Sequence, residues 1–147
     1  MEFKKYNHLV EEKKISDFWI KNGCFKPKKG KTKNTFSVVI PPPNITGRLH
    51  MGHALNNSLQ DVLVRYNRMK GNETLWQPGT DHAGIATQAI VEKNIQKEGL
   101  RKADLGRDKF IKKIWDWKKK SGDIILDQLK KLGCSCDWSR TRFTMDK

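Results

Sequence analysis

The 147 residues carry 30 Lys and Arg against 16 Asp and Glu, a net charge of +14, with 36% hydrophobic and 31% charged residues. That length suits one domain with its own core, and the basic balance favours a polyanion partner or a lysine-solvated surface without choosing between them. No run approaches the ~20 apolar residues of a spanning helix, and no secretory signal is visible, which excludes membrane spans and export. Cys24, Cys134 and Cys136, an odd number without a Cys-x-x-Cys pair, argue against a disulfide framework. The expectation is a soluble cytoplasmic protein.

In chain order, Leu9, Ile15, Phe18, Trp19 and Ile20 predict a helix over 7–21, closed by Asn22-Gly23. Lys26 to Lys33 is a basic loop. Its Gly30-Lys31-Thr32 imitates the end of a phosphate-binding P-loop, but Phe25 stands where that motif needs Gly and the segment precedes a strand instead of following one. It reads as a solvated linker, so residues 1–35 form a helix and basic loop ahead of a domain over 36–147. Phe36 to Ile40 is apolar and stops at three prolines, the pattern of a buried strand. Leu55, Leu59, Val62, Leu63, Tyr66 and Met69 recur at helical spacing, giving an amphipathic helix over 54–69. After the Gly71-Asn72 turn, Glu73 to Gln77 is a second strand, so 36–77 form one β-α-β unit, expected to be right-handed.

Residues 85–96 read as a helix ended by Gly99, and 100–106 as a connector. A long helix over 108–132 follows from Phe110, Ile114, Trp117, Ile125, Leu129 and Leu132, with Ser121-Gly122 as its weak point. Its Lys118, Lys119 and Lys120 form a wet face. Gly133 is a C-cap, and Asp137 to Arg140 a turn.

The chemistry concentrates where the first strand meets its helix. His50 and His53 lie one turn apart at the helix start, where unpaired N–H groups and a partial positive charge suit phosphate. Gly52 between them lets a flat ring lie against the backbone. Ordinary helix capping is the competing account of either histidine. Asp81 follows the second strand and faces the same crevice, since both loops leave carboxyl ends of strands. It can pair with an ammonium group or cap the helix from Ile85; His82 is read as structural. A metal-dependent hydrolase built on His50, His53 and Asp81 lacks His-Glu-x-x-His, and Cys134-x-Cys136 alone makes no zinc site, so no protein-bound metal is predicted.

Three segments then match in order: Pro41-Pro42-Pro43-Asn44-Ile45-Thr46-Gly47-Arg48-Leu49-His50-Met51-Gly52-His53, the stretch Trp76 to Gln88 containing Pro78-Gly79-Thr80-Asp81-His82, and Leu132 to Arg140 containing Asp137-Trp138-Ser139-Arg140. Together they resemble the class I aminoacyl-tRNA synthetases, in the version carried by the valyl-tRNA synthetase family. The resemblance implies an α/β fold, the first half of a Rossmann-like nucleotide-binding domain in which a parallel β-α-β unit has flanking helices. It implies ATP-dependent activation of valine and transfer to tRNA(Val), with ATP, accompanied by Mg2+, as substrate. Thr46, His50, Gly52 and His53 would bind ATP, His50 and His53 acting catalytically, while Pro41, Asn44 and Asp81 would bind the amino acid. The family's Lys-Met-Ser-Lys-Ser loop, editing insertion and anticodon-binding helices do not occur here. The chain therefore reads as an amino-terminal piece, by itself inactive or binding only ATP and valine. A non-catalytic basic RNA-binding module is the alternative, and ATP binding separates the two.

Overall fold

The computed structural model describes residues 5–28, 30 and 34–146, so part of the basic linker lies outside the described residues. The elements are α1 His8–Lys21, β1 Thr35–Val39, α2 Met51–Met69, β2 Glu73–Gln77, β3 Gly79–Thr80, α3 Gly84–Lys97, α4 Lys102–Lys131 and β4 Arg142–Phe143, with a 3-10 turn at Trp138–Arg140.

β1 and β2 pair in parallel from Thr35–Glu73 to Val39–Gln77, with α2 as the crossover, which is the expected β-α-β unit. Pro78 has no N–H to donate and separates β2 from β3. β3 then pairs in parallel with β4, Gly79 against Arg142 and Thr80 against Phe143. Segment 73–80 thus has a parallel neighbour on each side, first β1 and then β4. Gly79 permits the second approach, because a Cβ there would lie 2.7 Å from the Arg142 carbonyl oxygen. Each helix closes on the glycine expected of it, with backward bonds such as Gly133 N–H to Lys130 O (3.0 Å) and Cys134 N–H to Leu129 O (3.1 Å).

Ile40, Ile45, Val64, Trp76, Ile125, Leu129, Cys134, Cys136 and Phe143 form the main core. Val91, Ile95 and Phe110 form a smaller one between α3 and α4. Burial pushes the Cys134 thiol up to about 12 and raises that of Cys136 further, so both remain protonated packing groups at neutral pH.

Several expectations are corrected. β1 is not buried on both faces: Phe36 and Val38 pack on the core, whereas Val39 is 71% exposed. On α2, Leu55, Leu59, Val62, Leu63, Tyr66 and Met69 are all exposed, although a surface helix ordinarily turns its apolar stripe to the core. Apart from Val64, the inward face is mostly polar. Asp61 accepts from the Ser135 N–H (2.9 Å) and Oγ (2.5 Å), and Arg68 donates to the Ser135 carbonyl (2.7 Å) and to that of Phe25 (3.2 Å). Arg65 bonds Asp61 and the Gly133 carbonyl, with its guanidinium 5.2 Å from the Trp19 ring centroid. In α4 the break falls at Gly106 (φ 71°), and Lys102–Leu105 is already helical, started by Asp104 accepting from the Arg101 N–H. Ser121 and Gly122 are buried in unbroken helix, where the Ser121 hydroxyl is anchored to the Ile45 carbonyl. Lys118 does not simply face water, since its ammonium lies 4.7 Å from the Phe143 ring centroid.

Candidate active site

The strand-to-helix loop is pinned from two sides. Along the sheet, the Ile40 N–H donates to Gln77 O (2.9 Å), the Asp81 N–H to Pro43 O (2.8 Å) and the Ile45 N–H to Asp81 O (3.0 Å). From α4, Trp117 Nε1 (2.8 Å) and Ser121 Oγ (2.9 Å) both donate to the Ile45 carbonyl, and Gln128 Oε1 accepts from the Leu49 N–H (3.1 Å). Ile45 itself is 1% exposed, so its two-fold bonded carbonyl is dry and stiff.

At the end of this loop His50 is the N-cap of α2, in extended backbone (φ −125°, ψ 177°). Its Nδ1 accepts from the Gly52 N–H (3.1 Å), while His53 Nδ1 accepts from the His50 N–H (3.3 Å). The two rings lie 4.0 Å apart between centroids. Gly52 suits this arrangement, because a Cβ would come within 3.0 Å of His50 Cε1 and the ring would have to shift. With each Nδ1 accepting, a neutral ring must carry its hydrogen on Nε2, at the opposite edge. Burial, followed by the neighbouring His50, holds His53 below the usual histidine pKa and keeps it neutral. The capping account of the histidines is therefore correct as geometry, and it leaves each ring a free donor edge.

Asp81 lies across the sheet from Asn44, joined to it by a parallel bridge. Its Oδ1 accepts from Thr144 Oγ1 at 2.8 Å. That bond, assisted by the Ala83 and His82 backbone N–H groups and by His82, holds the carboxyl below its usual range despite some burial. Asp81 thus also steadies the start of α3, whose cap residue Ala83 has φ 53° and whose Thr87 hydroxyl bonds the His82 carbonyl (2.7 Å). Pro41 and Asn44 are exposed beside this bridge, and Thr46 is half-buried in the loop. The structure brings Asn44 to Asp81 and His50 to His53, at the two ends of segment 44–50. Trp117, Ser121, Gln128 and Thr144 were not legible as site residues, for each acts across more than sixty positions of chain.

Cavities of about 250 and 160 Å3 lie beside the α1–β1 connection, and neither is lined by a residue of the two signature loops. Among the described residues no three His, Cys, Asp or Glu side chains gather as a metal site, and no helix is long and apolar enough to cross a membrane.

Residues 14–147 match the family described as tRNA synthetases class I (I, L, M and V). The chain belongs to that family. This class I synthetase sequence is 67% identical over 143 residues to the valine--tRNA ligase of Pelagibacter ubique, covering 97% of the chain and 16% of that protein. It is 60% identical over 145 residues to the valine--tRNA ligase of Treponema denticola, covering 98% and 16%. The chain thus spans about one-sixth of the curated relatives it matches. Its fold resembles the crystal structure of the ternary complex of Agrobacterium radiobacter K84 agnB2 LeuRS-tRNA-LeuAMS, with a TM-score of 0.75 at 21% identity over 97% of this chain and 16% of that one. The α/β, Rossmann-like character of the synthetase amino-terminal region is that of this fold.

Proposed function

We propose that residues 41–53 and 78–84 form one half of the valine-activation site of a valine--tRNA ligase. Its substrates are ATP, entering with Mg2+, and L-valine; tRNA(Val) receives the product in the complete enzyme. An oxygen of the valine carboxylate attacks the α-phosphorus, and the bond from that phosphorus to the pyrophosphate oxygen breaks. Pyrophosphate leaves with the electron pair and valyl-adenylate remains. No covalent bond to the protein is needed, so alignment and preorganised donors carry the rate. His50 and His53 serve the ATP phosphates through Nε2–H, with Thr46 and the backbone at Gly52 beside them. Asp81 receives the valine ammonium, with the Pro41 carbonyl and Asn44. This reading puts the protein in the cytoplasm with the translation machinery.

The supporting observation is the reciprocal seating of the two histidines, each Nδ1 occupied by a backbone N–H and each Nε2 left to donate. By itself the chain is expected to bind ATP weakly and neither to charge tRNA nor to edit. Binding of ATP also separates this reading from a non-catalytic basic RNA-binding module. The test grafts residues 1–147 into the Pelagibacter ubique enzyme and compares ATP–pyrophosphate exchange with and without His53→Ala. Loss of one preorganised donor slows the reaction by ~10². Exchange close to that of the unsubstituted graft overturns the assignment.

A further inference from the structure

Thr144 lies beyond all three matched motifs, just after β4. Its backbone N–H donates to the Thr80 carbonyl (3.1 Å), continuing the β3–β4 ladder and bringing its side chain to Asp81. A threonine hydroxyl has one hydrogen and two lone pairs. Three partners surround this one: Asp81 Oδ1 at 2.8 Å, the His82 N–H at 3.0 Å and His82 Nδ1 at 2.7 Å. An ionised carboxylate only accepts, so the hydroxyl hydrogen goes to Asp81. The backbone N–H fills one lone pair, and a hydrogen on His82 Nδ1 lies within reach of both the other lone pair (2.7 Å) and Asp81 Oδ1 (3.1 Å). The cluster thus ties Asp81 to both Thr144 and His82, and Asp81 still keeps 33% of its side chain exposed.

We propose that Thr144 is a positioning residue for Asp81, its hydroxyl oriented by two donors of His82 so that the carboxylate is fixed to meet the ammonium of the amino-acid substrate. The inference rests on the proposed role of Asp81. The merely architectural link between β3 and β4 runs through the Thr144 backbone and survives side-chain exchange, so the hydroxyl is free for this task. His82, first read as structural, becomes the group that aims it. The Thr144 bond is also the largest influence depressing the Asp81 carboxyl. Other charges on the packed elements are Lys118, seated over Phe143, and Asp146, which accepts from the Phe143 N–H.

The experiment follows the Asp81 side-chain carboxyl carbon by NMR through an acid titration of the 147-residue chain and its Thr144→Ser and Thr144→Val variants. Thr144→Ala serves as a second hydroxyl-free variant should the valine form fold poorly. The parent chain and Thr144→Ser should titrate below the ordinary aspartate value of ~3.9, and the hydroxyl-free variants should move up toward it. In the grafted enzyme the hydroxyl-free variants should raise KM for valine about tenfold, leave KM for ATP unchanged and be matched to the parent by Thr144→Ser. An Asp81 midpoint unmoved by loss of the hydroxyl overturns the proposal. So does an unchanged valine KM, and Asp81→Asn then separates the causes. If that variant also binds valine normally, the role given to Asp81 has failed; if it does not, the fault lies with Thr144.

Discussion

Helices α2 and α4 flank the same loop and are built in opposite senses. α4 buries Phe110, Ile125 and Leu129 and turns Lys109, Lys112, Lys119 and Lys120 to water, the usual arrangement. α2 has only Asp61, Arg65 and Arg68 as formally charged side chains, and all three point inward to partners on the 133–135 segment. Its exposed side carries Met51, Leu55, Leu59, Val62, Leu63, Tyr66 and Met69 and no charge, in a chain of which 31% is charged. One helix is held chiefly by apolar area, the other by Val64 and a set of directed bonds. Periodicity thus identifies a helix and its two faces, while the inner face is decided by the partner.

The largest contrast is expected in stability. Leu129 on α4 is fully buried and Leu59 on α2 is 61% exposed. Leu129→Ala should cost about 3 kcal/mol, the transfer loss plus a cavity. Leu59→Ala should stay within about 0.5 kcal/mol, as surface substitutions do. Urea midpoints at unchanged m-value measure both. Equal costs would mean that the outward stripe of α2 is packed after all.

The inward bonds of α2 predict a somewhat smaller effect. Asp61, whose side chain is 17% exposed, is bonded to Arg65 and to both the N–H and the hydroxyl of Ser135. Asp61→Asn keeps the shape and removes the charge that balances Arg65 and Arg68. Breaking a fully buried pair costs 3–5 kcal/mol, and partial hydration here brings the expected loss to about 2 kcal/mol. A loss below about 0.5 kcal/mol would demote the cluster to surface decoration.

Local chemistry made much of this legible. Proline stops, glycine caps and the alternation of strand and helix gave the β-α-β unit, and the His-x-Gly-His spacing located the N-cap of α2. What escaped was long-range. Nothing near Trp117, Ser121 or Gln128 says that they hold the loop of Ile45 and Leu49, since a helix with indole, hydroxyl and amide groups at those positions would look the same beside any neighbour. Residues 102–105 read as connector because the apolar repeat begins only after Gly106, and Ser121-Gly122 reads as a weak point because intrinsic propensity ignores an anchored, buried position.

The smallest effect concerns the helix start itself, where α2 differs from α4 in using rings as caps. His53 is pressed below the usual histidine value by burial first and by His50 second. A proton placed on its Nδ1 would also remove the acceptor of the His50 N–H. The unfolded chain titrates this group near ~6.5 and the folded chain lower, so within that window the unfolded state holds more protons. Stability should therefore decline as pH falls below ~6.5, with this contribution fully lost below the folded value. His53→Gln, which cannot titrate, should flatten the stability curve between about pH 7 and about pH 5 relative to the parent. The ring-proton NMR titration of His53 gives the direct check. A midpoint at or above ~6.5 would show that the ring is better solvated than its seat against His50 allows, and the two histidines would then not stand as a neutral pair of Nε2–H donors.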